Sequence, residues 1–131
     1  MNQWWRWSPK QGTEKLGFAV VGIGRFGSAV CKELMNNGVD VLAVDASERA
    51  IEELRKLEPS IEARVVDSTD EESMRAAGVL DMGTVVVGIS EPIEASITTT
   101  LIAKDSPGSQ VQQVIARATS DLHEKMLKRV G

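Results

Sequence analysis

The stretch Phe18-Ala19-Val20-Val21-Gly22-Ile23-Gly24-Arg25-Phe26-Gly27 decides the fold of this 131-residue chain. Four apolar residues in a row, closed by a glycine, fit a strand buried on both faces, as in a parallel sheet. Gly22, Gly24 and Gly27 then follow the G-x-G-x-x-G spacing. Phe26, Val30 and Leu34 recur four residues apart, which is a helical period. The pattern closes a strand and opens a helix, predicted over residues 25–37 and stopped by Asn36-Asn37-Gly38. The bland alternative is a tight turn and nothing more. In a strand-to-helix context the glycines have sharper uses: Gly22 permits the turn, Gly24 lets the backbone approach a diphosphate, and Gly27 lets the helix pack on the strand. The phosphates would sit on backbone N–H groups at the helix N-terminus, where the macrodipole favours an anion. Ile23, Arg25 and Phe26, interleaved with the glycines, join the same candidate site.

Outward from this turn the alternation continues. A second strand is expected from Val39 to Val44, ending in Asp45, and Ser47 is placed to cap a helix through about Leu57, with Ile51 and Leu54 facing inward. A third strand, Ile61 to Val66, ends in Asp67. Thr69-Asp70-Glu71-Glu72 has capping-box form for a short helix closing near Gly78. The fourth strand is expected over Thr84 to Ile89, and Pro92 falls in the first turn of a helix reaching about Lys104. Val111 to Ala116 is the fifth strand and Ser120 to Val130 a last amphipathic helix. Strands alternating with helices predict an α/β, Rossmann-like, doubly wound parallel sheet of five strands. Residues 1–15 read as a tail or linker, and residues 16–131 as one nucleotide-binding domain.

Asp45 lies 18 residues after Gly27, where a carboxylate can accept hydrogen bonds from both ribose hydroxyls of an adenosine and repel a 2′-phosphate, which disfavours NADP. Asp67, Ser68 and Thr69 end the third strand where an adenine would lie, with a helix cap by Thr69 as the plainer role. Ala46 and Ile89, beside Asp45 and at the end of the fourth strand, complete the edge. Arg25 sits at the helix mouth, where a guanidinium could reach terminal phosphates, and Arg117 ends the fifth strand on the same edge. Either could equally be an ordinary surface arginine. His123 is the only histidine and is expected on a helix surface; Cys31 is expected as a small buried residue. Ser96, Thr98, Thr99 and Thr100 show no paired base along the sequence that would make one a nucleophile.

Composition narrows the field. Fifteen Lys and Arg against nineteen Asp and Glu give a net charge of −4, a poor match for wrapping nucleic acid. One cysteine excludes an internal disulfide and, with one histidine, a Cys/His zinc site. No apolar run approaches the roughly 20 residues of a spanning helix, nor does the start look like a signal peptide, so a soluble intracellular chain is expected. Trp4, Trp5 and Trp7 with Arg6 and Lys10 form an aromatic-basic cluster, which either anchors to a membrane or partner or is simply a mobile tail.

From Phe18 to Gly131 the chain resembles the N-terminal nucleotide-binding domain of the RCK/KTN (TrkA-N) family, cytosolic regulators of potassium channels and of Trk/Ktr potassium transporters. The resemblance rests on Val21 to Gly27, on Ala43-Val44-Asp45, on Asp67-Ser68-Thr69-Asp70-Glu71, on Glu94-Ala95-Ser96, on Ile115-Ala116-Arg117-Ala118 and on His123 to Gly131. Gly24-Arg25-Phe26-Gly27 looks most like Ktr-type regulatory subunits. The resemblance implies a homodimer, commonly assembled into a ring of eight domains, beneath a membrane potassium-transport subunit at the inner face of the cell membrane. It implies ATP/ADP as ligands in Ktr-type members, with NAD/NADH also bound in Trk-type ones, and Arg25 reaching a terminal phosphate across the dimer. The family carries a sixth strand and a C-terminal lobe beyond the position of Gly131, so a truncated chain or isolated domain is expected. The competing reading is the cofactor half of an NAD-dependent dehydrogenase, but no catalytic base or substrate lobe is evident.

Overall fold

A computed structural model describes residues 17–130; the tryptophan cluster and the expected tail lie outside them. The elements are β1 (Phe18–Val21), α1 (Arg25–Asn36), β2 (Val41–Asp45), α2 (Glu48–Leu57), β3 (Glu62–Val65), α3 (Glu71–Ala77), a short 3₁₀ turn (Val79–Asp81), β4 (Thr84–Val87), α4 (Ile93–Asp105), β5 (Gln113–Ala116) and α5 (Asp121–Val130). The five strands form one sheet, ordered β3-β2-β1-β4-β5 and parallel at every pairing. This is the expected doubly wound fold. The chain runs outward from β1 to β3, then crosses back to β4, so the strand order reverses between β1 and β4. Ligands of open α/β sheets bind at such a reversal, beyond the carboxyl ends of the strands.

Successive strand residues point to opposite faces, which builds two cores from one sheet. Phe18, Val20 and Ala43 pack on Val30, Cys31 and Leu34 of α1 and Ile51 and Leu54 of α2. Ala19, Val21, Val44 and Val87 pack on the other side with Met74 and Ala103. All four residues of β1 and of β4 are buried, as central parallel strands require.

β1 spans the expected Phe18–Val21, whereas the other strands are shorter than the apolar runs that announced them. Val39, Ile61, Ile89 and Val111 lie just outside their ladders and serve as apolar flanks. Ser47 does cap α2, its Oγ accepting the Ala50 N–H at 3.2 Å. At α3 the cap is one residue later than expected. Asp70, not Thr69, accepts the Ser73 N–H, because Thr69 is drawn to Asp67 through both its N–H and its hydroxyl. Pro92 precedes α4 as its N-cap rather than sitting inside its first turn. Among the described residues no helix is long and apolar enough to cross a membrane.

Candidate functional site

The glycine turn lies at the strand-order reversal, and its geometry separates the three glycines by purpose. Gly22 has φ +90°, a conformation L side chains rarely adopt, and a Cβ there would come within 2.9 Å of Ile89. A Cβ on Gly27 would fall 1.9 Å from the Gly22 carbonyl oxygen, so α1 touches the turn so closely that any side chain is excluded. Gly24 is the reverse case: a Cβ there would meet no protein atom within 4 Å. Its missing side chain leaves open space directly above the N-terminus of α1. Gly24 itself is the N-cap, no side chain caps the helix, and its first turn holds no acidic residue. A helix N-terminus carries N–H groups that the helix itself does not use, and with the positive end of the dipole this end of α1 faces room for an anion. Fit to a phosphate follows from this open backbone cradle.

Asp45 stands at the carboxyl end of β2, one strand from the turn. Its Oδ2 accepts the Ile23 N–H at 2.8 Å and its Oδ1 accepts the Ser47 N–H at 2.8 Å. The carboxylate thus clamps the glycine turn to the start of α2, and each oxygen keeps a lone pair for a further donor. The Ile23 N–H is spent on this clamp, which leaves the phosphate position to the N–H groups further into α1. Ala46 is exposed beside it.

Asp67 and Thr69 are exposed in the loop after β3, on the same edge, since Val65 pairs with Asp45 in the ladder. Bonds from the Thr69 hydroxyl and N–H hold the Asp67 carboxyl below the usual carboxylate range. Ser68 turns inward: it is nearly buried, and its Oγ accepts the Thr99 hydroxyl of α4 at 2.8 Å. Two residues on this edge escaped the sequence reading. Val65 is exposed for an apolar side chain and adjoins Asp45. Gly88 ends β4 beside the turn, and a Cβ on it would lie 2.7 Å from the Gly22 oxygen. A lone glycine after Val87 carried that second signal, but only the β1–β4 pairing shows what it abuts.

A cleft of about 890 Å³ opens beyond Arg25 and Phe26 and runs under α5. Its walls include Ala116 and Arg117 from the end of β5 and Leu127 and Lys128 from α5. The Arg117 guanidinium lies over the Phe26 ring, 5.3 Å from its centroid, a cation–π contact that orients it. Arg25 and Arg117 are therefore brought to one cleft beside the N-terminus of α1, while Asp45 and Asp67 lie on the other side of the turn.

His123 is not on the surface: it is fully buried, with its Nε2 3.0 Å from the Ser96 Oγ. Ser96 does have a histidine partner, then, one that sequence spacing concealed. The pair is nevertheless set the wrong way round for nucleophilic catalysis. The Thr119 backbone N–H donates to Nδ1 at 3.1 Å, so the ring proton sits on Nε2 and points at Ser96. Such a ring cannot take the serine proton. Cys31 is also buried, as expected; burial first and the Glu58 carboxylate second push its thiol up to about 12. Among the described residues no group of three or more metal-ligating side chains occurs.

Residues 18–131 match the TrkA-N domain. The chain belongs to the TrkA-N family. Among relatives of this TrkA-N chain, Ktr system potassium uptake protein C of Bacillus subtilis is 41 % identical over 117 residues, covering 89 % of this chain and 51 % of that protein. Ktr system potassium uptake protein A of Vibrio alginolyticus is 38 % identical over 114 residues, covering 87 % and 50 %. The chain thus spans about half the length of these relatives. Among solved structures, the TrkA-N domain of inner membrane protein ybaL from Escherichia coli superposes with a TM-score of 0.77 at 21 % identity, covering 88 % of this chain and 82 % of that one. The TrkA-N fold is shared even where little sequence is.

Proposed function

We propose that this TrkA-N domain is the regulatory nucleotide-binding module of a potassium uptake system, and that an adenine nucleotide at its carboxyl edge sets its conformation. The observation that carries the reading is the open, uncapped α1 N-terminus at Gly24, standing one strand away from the Asp45 carboxylate. A diphosphate on the first and a ribose on the second is the arrangement an adenosine nucleotide needs. Gly22, Gly24 and Gly27 then cradle phosphate, Asp45 and Ala46 border the ribose, and Asp67 and Thr69 lie beside the adenine. Ser68 acts by holding that loop. The negative charge at Asp45 disfavours the 2′-phosphate of NADP.

Arg25 and Arg117, both exposed and both in the cleft, favour a ligand with a further phosphate, so ATP and ADP are preferred to NAD and NADH. Relatives named as potassium uptake proteins support the transport setting, which implies a cytosolic homodimer or ring docked on a membrane potassium-transport subunit. A switch of this kind requires the ligands to bind the two shapes with unequal affinity. The regulatory rather than enzymatic reading draws on the buried Ser96–His123 pair, whose ring proton points the wrong way for catalysis. The alternative, the cofactor half of an NAD-dependent dehydrogenase, rests on the same cradle.

Calorimetric titration with ATP, ADP, NAD and NADH separates them, repeated on Arg25→Ala. Binding of ATP and ADP, with Arg25→Ala weakening ATP more than ADP, supports the phosphate-sensing regulator. Binding of the dinucleotides alone overturns the Arg25 argument and favours a Trk-type, NAD-binding regulator, with the dehydrogenase alternative still open.

A further inference from the structure

His123 is the chain's single histidine, and it ties α5 to α4 at zero exposure. Both ring nitrogens are engaged. Nδ1 accepts the Thr119 N–H at 3.1 Å, with the Thr119 hydroxyl 3.2 Å away, and Nε2 donates to Ser96 Oγ at 3.0 Å. The Ser120 Oγ accepts the His123 N–H at 3.1 Å, closing the first turn of α5 over the ring. A backbone N–H can only donate, so this arrangement requires the neutral imidazole. A proton on Nδ1 sets two N–H groups against each other; the Thr119 hydroxyl could receive it only if the backbone bond is given up.

Among the described residues none forms an ion pair with His123. The residues three and four positions from His123 (Thr119 and Ser120 just before α5, Met126 and Leu127 on it) and from Ser96 on α4 (Ile93, Thr99, Thr100) are all uncharged. Glu94 of α4 and Asp121 and Glu124 of α5 are exposed, and Glu124 pairs with Lys128 at 3.1 Å. Arg117, in the segment between β5 and α5, lies over Phe26. A buried imidazolium here would be unpaired in a poorly polarisable setting.

We propose that His123 is a proton-operated latch: neutral, it holds α5 against α4; protonated, it releases α5. Because Leu127 and Lys128 of α5 wall the cleft that opens on Arg25 and Arg117, release loosens that wall. The latch does not depend on what fills the cradle. Its sign is fixed by linkage: the loosened state takes up a proton the closed state refuses, so closure weakens as pH falls.

Nitrogen-15 NMR of the one imidazole in the 131-residue chain, with amide exchange protection measured at pH 7.5 and 5.5, tests it. The expected result is the neutral Nε2–H tautomer at pH 7.5, with a charged ring arising only together with loss of α5 protection. Protection of α5 amides should fall between the two pH values by up to about tenfold, the extent one proton allows, while α1 and α2 stay within about twofold. In His123→Gln, whose amide cannot be charged, the pH dependence of α5 should vanish. Ser96→Ala supplies a second variant that keeps the ring: α5 protection should drop already at pH 7.5 and still fall with acid. The latch is refuted by an Nδ1–H tautomer at pH 7.5, by a charged ring with α5 protection unchanged, or by unaltered pH dependence in His123→Gln.

Discussion

The backbone N–H of Ile23 donates to Oδ2 of Asp45 at 2.8 Å across the β1–β2 pair. The acidic residue that the glycine fingerprint calls for is thus a structural member of the turn as well as a candidate ribose acceptor. With Oδ1 on the Ser47 N–H, it joins the ends of two strands and the starts of two helices through one side chain.

Asp45→Ala therefore removes two things at once. It leaves the Ile23 and Ser47 N–H groups without their acceptor, at about 1–3 kcal/mol of stability, and it removes the ribose contact. Ser47→Ala is the control, since it loses only the α2 cap, about 1 kcal/mol. Denaturant unfolding should rank Asp45→Ala as the less stable of the two. Adenine-nucleotide binding should be lost in Asp45→Ala and kept in Ser47→Ala.

The glycines separate fold from ligand. Gly27→Ala forces a Cβ into the Gly22 carbonyl, a backbone atom that cannot move aside, and should cost about 3 kcal/mol or more. Gly24→Ala meets no protein atom and should cost about 1 kcal/mol at most, the usual N-cap preference for glycine over alanine. Its methyl group nevertheless enters the open cradle, so a loss of nucleotide affinity of at least about tenfold is expected from a folded protein. Calorimetry beside thermal unfolding of both variants checks this.

The Arg117–Phe26 stack predicts a change of affinity without a change of fold. Phe26→Leu keeps an apolar side chain in the cleft but removes the ring face, worth about 0.5–1 kcal/mol of orientation. ADP or ATP should bind about two- to fivefold more weakly to it, with the salt dependence kept. Arg117→Ala should instead flatten the salt dependence, because a cation has gone.

Cys31 gives a pH prediction. With its thiol pushed up to about 12 by burial, the folded chain should react with a thiol reagent at pH 8 at least about a hundredfold more slowly than the unfolded chain. The sign for stability follows: the unfolded thiol ionises near 9.0, the folded one does not. The contribution is therefore intact below 9.0 and is lost as pH rises from there towards about 12. Comparison of alkaline unfolding in Cys31→Ala shows that loss directly.

Much of this molecule could be read before it was seen, because the decisive signals are local. Four apolar residues before a glycine make β1, the spacing of Val30 and Leu34 buries one face of α1, and Ser47 caps α2 where it stands. Those choices depend on residues within one turn of each other, so the parallel doubly wound sheet and its carboxyl edge followed from them, while the strand order came only from the structure. Asp45 was legible as an edge residue for the same reason. What the local pattern could not supply was the partner of any polar group whose mate is far along the chain. The clamp from Ile23 to Asp45 spans 22 residues, the hydrogen bond from Thr99 to Ser68 spans 31, and that from His123 to Ser96 spans 27. In α5 the expectation for His123 failed: it is buried, while Leu122 and Met126 are exposed. A histidine is read as polar from its side chain alone, yet α4 presents the Ser96 hydroxyl at that contact. Only the packing of α5 on α4 turns it inward, since a buried polar ring is tolerated only where the tertiary structure provides a partner for each nitrogen.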